Sequence, residues 1–167
     1  MLSLVNKTDL PKMLNWRNEE NVRQVMFSNH LITPEEHSKW WERVSSDETQ
    51  KWYIFSENEI DLGVVYFTEI NKSSAHLGYY FKNLSQYKGI ETFLIWQRLE
   101  AEAINFAFNE LCVESIICSV LCKNQRVIMQ HKRFGFEEIK IFEKLVGSKL
   151  EQVSKMILKK NRNEIDA

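Results

Sequence analysis

Three runs rich in β-branched and aromatic residues, KWYIFS, LGVVYFTEI and SAHLGYYF, lead through a polar loop into the longest amphipathic stretch of the chain, which starts at Ile90. That succession constrains the fold more than any other feature. The runs predict strands, with NEID and NKSS as the turns between them. The stretch after them predicts a helix over 90–111, roughly 33 Å long at the usual rise. Beyond it, SIICSVL reads as a short buried strand and NQRVIMQHKRF as a short helix closed by Gly135. FEEIKIFEKLV and EQVSKMIL then read as a closing pair of strands around a GSK turn. Ahead of the three runs, residues 2–5 predict a short strand. TDLPKMLNWRN sets Leu10, Met13, Leu14 and Arg17 on one helical face. Asn18 is placed to end that helix and cap the next, EENVRQVMF, which would turn Val22, Val25 and Met26 inward. TPEEHSKWWERV carries a helix start with Thr33 as N-cap, Pro34 in the first turn and Glu36 as reciprocal partner. Helices, three strands, a long helix, a strand, a short helix and two strands together predict an α/β (α+β) domain around a central sheet.

A length of 167 residues fits one such domain, expected over 1–160, with 161–167 as a frayed tail. The net charge of −1 offers no basic field for nucleic acid or acidic lipid. The opening MLSLVNKTDL lacks the pattern of a secretion signal, and no apolar run is long enough to span a bilayer. Cys112, Cys118 and Cys122 are odd in number without C-x-x-C spacing, which reads as reduced thiols in a cytoplasmic protein and implies no metal.

The loop QYKGIET carries one glycine, Gly89, directly before the long helix. A helix N-terminus exposes unpaired amides and the positive end of the dipole, and a glycine there lets phosphate approach the backbone. The segment is a candidate anion cradle; an ordinary turn remains the plainer alternative. Gln86 and Gly89 match two fixed positions of the Q/R-x-x-G-x-G/A pattern, with Glu91 where Gly or Ala is usual. In NQRVIMQHKRFGF, Asn124, Arg133, Gly135 and Phe136 are in register with N-x-x-A-x-x-x-Y-x-K-x-G-F. In both segments the chain resembles the GNAT superfamily of N-acetyltransferases. The resemblance implies a mixed, mostly antiparallel sheet, splayed between the strands on either side of the long helix. It also implies acetyl-CoA as cosubstrate. Gln86, Lys88, Gly89, Ile90, Glu91 and Thr92 would hold its diphosphate, with backbone near Tyr79 and Phe81, and Asn124, along the pantetheine arm.

Amide formation from a thioester needs a neutral amine, a polarised carbonyl and a proton for the departing thiolate. His131 stands where the family pattern has its tyrosine acid, and a histidine titrating near neutrality can serve; it also reads as a packing residue. His76, on the strand before the cradle, is the candidate base, with a solvent-facing strand histidine as the alternative and Glu69 as a weaker candidate. A covalent route through Cys118 or Cys122 is less favoured than direct transfer, because a cysteine in a buried strand is usually an apolar filler.

For the acceptor, the N-terminal third carries Trp16-Arg17-Asn18, the pair Met26-Phe27, and Ile32, His37 and Trp40. This arrangement resembles the N-acetyltransferases that act on nucleotide-linked 4-amino sugars of the pseudaminic-acid pathway. The resemblance implies a nucleotide-sugar substrate. Arg17 would fork onto its diphosphate, and Met26, Phe27, His37, Trp40 and Thr68 would contact the nucleotide and deoxy sugar. A protein N-terminus or an aminoglycoside is the alternative acceptor, and a non-catalytic acyl-CoA-binding domain the alternative of another class. A homodimer is compatible with the sequence.

Overall fold

The structure, a computed structural model, describes residues 1–161. The tail expected over 161–167 lies outside the described residues except for Asn161. A seven-stranded sheet runs in the order β1-β2-β3-β4-β5-β7-β6. Its strands are β1 (Leu2–Leu4), β2 (Lys51–Glu57), β3 (Ile60–Thr68), β4 (Ser74–Phe81), β5 (Ser115–Leu121), β6 (Glu137–Val146) and β7 (Lys149–Lys159). The helices are α1 (Leu10–Asn18), α2 (Glu20–Arg23), α3 (Pro34–Val44), α4 (Ile90–Asn109) and α5 (Gln125–Arg133). All neighbouring strands are antiparallel except β4 and β5, which α4 joins in parallel. The α/β fold expected from the order of elements is the one formed.

The β4–β5 pairing is confined to three residue pairs, Ser74–Ser115, Ala75–Ile116 and His76–Ile117. Beyond them the strands part, leaving a wedge between Leu77–Gly78–Tyr79 on one side and Ser119–Val120 on the other, closed behind by Val127 and His131 of α5. One face of the sheet carries the main core, where Phe55, Phe67, Leu77 and Ile116 meet Leu99, Ala103 and Ala107 of α4. The small alanines let this helix lie close on the strands. The other face packs Ile54, Val64 and Tyr80 against Met13 and Val22 of the N-terminal helices.

Local chemistry accounts for most element ends. Thr33 and Glu36 form the expected capping box: Glu36 N–H donates to Thr33 Oγ1 (3.2 Å) and Thr33 N–H to Glu36 Oε2 (2.8 Å). α4 stops at Asn109, short of the predicted 111, because Cys112 takes a left-handed φ of 54°. Val113 N–H then turns back to the Ala107 carbonyl. The second helix is shorter than predicted. Its amides at Val25 and Met26 fall back on the carbonyls three residues earlier, and the chain unwinds. Two arginines hold the unwound segment: Arg23 donates to the carbonyls of Asn18 and Asn29, and Arg17 Nη2 to that of Ser28 (2.6 Å). Asn18 ends α1 as expected but does not cap α2. It exchanges two hydrogen bonds with the backbone of Ile32 instead.

One buried polar cluster ties α4, α5 and β4 together behind the wedge. Glu100, fully buried on α4, accepts from Tyr79 Oη at 3.0 Å and contacts His131 Nδ1 at 2.5 Å. Burial opposes charge on the His131 ring, but the adjacent Cys118 and Glu100 side chains outweigh it and push its pKa up to about 10. Burial, and then the Glu100 charge, hold the Tyr79 phenol well above its ordinary range. A histidine pKa raised from 6.5 to about 10 stabilises the fold fully below the ordinary value. That stabilisation is lost as pH climbs through the raised one. The urea midpoint is therefore expected to fall between pH 7 and about 10. Glu100→Gln should be less stable at pH 7 and show a flatter decline, and an unchanged slope in that variant would contradict the charged pair.

Candidate active site

The start of α4 is built as a cradle. Gly89 is its N-cap, with φ 54° and ψ −117°, and nothing lies within 4 Å of where a side chain would begin. No side chain caps this helix start. The Thr92 hydroxyl donates to the Tyr87 carbonyl at 2.8 Å, and Tyr87 N–H to the Leu84 carbonyl, so the loop is braced from within. Gln86, Lys88, Gly89, Ile90 and Glu91 are all exposed. The Glu91 carboxylate stands in the first turn, where the dipole favours it.

From the cradle a cavity of about 340 Å³ runs along the end of β4, lined by Tyr79, Phe81, Thr92, Trp96, Asn124 and Arg126 among others. Arg126 lies over the Trp96 ring at 4.2 Å, and the buried Trp96 Nε1 has no hydrogen-bond partner. A cavity lined by an orphaned donor, with a bare helix start at its mouth, fits a long polar ligand carrying a diphosphate. Tyr79, Phe81, Thr92 and Asn124 come together here.

On the opposite face lies a cavity of about 470 Å³ bounded by Arg17, Met26, Phe27, His37, Trp40 and Arg43, with Trp52, Tyr66 and Tyr80 as its floor. Its aromatic wall is continuous. His37 stacks on Trp40 (4.9 Å), Trp40 meets Trp52 edge-on (4.7 Å), and Trp52 stacks on Tyr66 (4.4 Å). Burial keeps the His37 pKa below its ordinary value, and burial likewise lowers that of Arg17. Arg17 Nη1 and Trp52 Nε1 are buried without a hydrogen-bond partner. The Glu36 carboxylate on the rim is engaged at the α3 start and lies 3.4 Å from His30.

The wedge joins the two cavities, sharing Val25, Tyr79, Asn124 and Val127 with the first and Phe27 and Tyr66 with the second, while Met26 borders all three. His131 lines the wedge but is only 2% exposed, with Nδ1 committed to Glu100. Cys118 is 1% exposed and borders none of these cavities, which leaves a covalent route through its sulfur without access. His76 lies half-buried at the last paired position of β4 and β5, beside the wedge but lining none of the three cavities, its Nε2 3.4 Å from Glu69. Burial lowers its pKa, against the pull of the Glu69 charge. Thr68, the cross-strand partner of His76, borders none of the three cavities and is not brought together with the other expected acceptor residues. Tyr66, Trp52 and Glu100 escaped the sequence reading. The glycine in SAHLGYYF is the one signal that marked the first, since glycine inside a strand often admits a close neighbour.

The Acetyltransferase (GNAT) domain pattern matches residues 1–137. The acetyltransferase PseH of Campylobacter jejuni subsp. jejuni serotype O:23/36 is 27% identical over 133 residues, covering 79% of each chain. The crystal structure of spermidine N-acetyltransferase from Vibrio cholerae in complex with CoA and spermine superimposes with a TM-score of 0.83 at 19% identity, over 95% of this chain and 94% of that one. Campylobacter jejuni PseH in complex with acetyl coenzyme A superimposes with a TM-score of 0.70 at 20% identity, over 96% and 99%. The two structural likenesses establish a shared fold. The domain match takes in the cradle, both walls of the wedge and α5, and the chain belongs to the GNAT acetyltransferase family.

Proposed function

We propose that this acetyltransferase moves acetyl from acetyl-CoA to the amine of a nucleotide-linked 4-amino-deoxy sugar of the pseudaminic-acid type, by direct attack in a ternary complex. The observation that carries the acceptor is Arg17 Nη1, a buried guanidinium donor without a partner in the wall of the larger cavity. A buried unpaired cationic donor is costly, and an anionic ligand relieves it. With Arg43 on the same rim and Glu36 already engaged, the cavity suits a diphosphate better than a polyamine. The aromatic wall from His37 to Tyr66 offers a flat surface for a uracil ring, and Met26 and Phe27 an apolar one for a deoxy-sugar methyl. The PseH relatives add weight to this reading.

Acetyl-CoA takes the other side. Gln86, Lys88, Gly89, Ile90, Glu91 and Thr92 receive its diphosphate, chiefly by backbone amides. Tyr79, Phe81 and Asn124 guide the pantetheine, so that the thioester enters the wedge. His76, kept neutral by its lowered pKa, takes the proton from the attacking amine directly or through water. His131 was the expected proton donor. Held protonated against Glu100, it serves instead as fixed positive charge behind the developing thiolate.

Arg17→Ala tests the acceptor. Losing one charged hydrogen bond, about 2 kcal/mol, should raise KM for the UDP-linked 4-amino sugar about 30-fold. The dissociation constant for acetyl-CoA should change little. Unaltered KM would remove the diphosphate from Arg17. Efficient turnover of spermidine, indifferent to the substitution, would make the acceptor a polyamine. CoA binding without turnover of any amine would favour a non-catalytic role.

A further inference from the structure

The departing CoA sulfur needs a proton, and the residue at the family's tyrosine position is poorly placed to exchange one. His131 is 2% exposed and bound to Glu100. Another hydroxyl stands at the junction. Tyr66, on β3, faces Gly78 across the β3–β4 ladder. A side-chain carbon on Gly78 would fall 2.2 Å from Tyr66 Cζ and 2.4 Å from Tyr66 Oη. The phenol therefore lies directly over the glycine, in space that any other residue at 78 would fill. From there its ring borders the wedge between β4 and β5 as well as the acceptor cavity. Three residues border both, Met26, Phe27 and Tyr66, and of these only Tyr66 has a polar side-chain group.

We propose that Tyr66, reaching the wedge across Gly78, is the catalytic residue that protonates the CoA sulfur. The phenol is well set for it. Stacking on Trp52 at 4.4 Å and 18° fixes the ring plane. Burial raises its pKa against the opposing pull of Arg17, so the proton is present at neutral pH. In the transfer, the acceptor nitrogen forms a bond to the acetyl carbon and the carbon–sulfur bond breaks. The thiolate takes the phenolic proton to become the CoA thiol. The nitrogen gives up one proton to His76, which returns it through water to the Tyr66 phenolate. Amine and thioester thus become amide and thiol with no net change in the protein.

The inference rests on acetyl transfer, the activity of the family, and uses the nucleotide-sugar acceptor in one arm of its test only. Tyr66→Phe removes the oxygen and keeps the stacked ring. In the first arm, calorimetry compares CoA with desulfo-CoA at neutral pH, where the phenol O–H can hydrogen-bond the CoA sulfur. The unmodified protein should prefer CoA, and Tyr66→Phe should lose most of that preference while binding desulfo-CoA equally well. In the second arm, kcat with acetyl-CoA and the UDP-linked 4-amino sugar should fall by about 100-fold or more, the usual span for a lost general acid, with both KM values within about threefold. Gly78→Ala, which must push the phenol aside, should lower kcat similarly. An unchanged CoA preference, or kcat within about threefold of the unmodified protein, would overturn the proposal. If the unmodified protein does not acetylate the nucleotide sugar, the acceptor reading fails, and the binding arm alone decides the role of Tyr66.

Discussion

β4 and β5 lie side by side but hydrogen-bond over three residue pairs only. A parallel pair in the middle of a sheet would ordinarily continue its ladder, because unpaired backbone groups away from water are expensive. Here the two strand edges are left facing one another across a gap, and the rest of the molecule is organised around keeping that gap open and useful. α4 crosses from one strand to the other and brings its bare N-terminus to the mouth. α5 closes the back. The unwound segment after α2, clamped by Arg17 and Arg23, brings Met26 and Phe27 to the front. Strand edges of this kind can hold an extended ligand much as they would hold another strand.

The electrostatics divide along the same line. Behind the wedge, Glu100 and His131 form a closed pair, with Tyr79 attached and almost no solvent contact. Breaking either partner would leave an uncompensated buried charge, so this cluster is a structural fixture as well as a charge source. In front, Arg17 has Nη2 spent on the Ser28 carbonyl and Nη1 unspent. The first set holds the scaffold; the second is left for a ligand.

Much of the fold was legible in the sequence because its cues are local. Thr33-Pro34 with Glu36 states a helix start in four residues, and the β-branched and aromatic content of LGVVYFTEI states a strand. The early unwinding after α2 was not legible, because it depends on arginine contacts with backbone distant in sequence. The same holds for the site. Gly89 announces itself by its position next to a helix start, and Asn124 by its register in the second segment that resembles the family. Glu100 reads as one more polar residue on an amphipathic helix until α5 brings His131 to it. Tyr66 sits in an apolar run like any strand aromatic, and only the pairing that sets it opposite Gly78 shows where its hydroxyl ends. Pairings between strands are what periodicity within one strand cannot encode.

The proposed acetyl transfer depends on the wedge receiving the thioester. The most direct measurement is a crystal structure of the protein with acetyl-CoA. The diphosphate oxygens are expected within hydrogen-bonding distance of backbone amides between Gly89 and Thr92, and the thioester between Leu77–Tyr79 and Ser119, opening toward the cavity that holds Arg17. A cofactor bound elsewhere, or a diphosphate at the cradle whose pantetheine runs over the surface and leaves the gap between β4 and β5 empty, would contradict it.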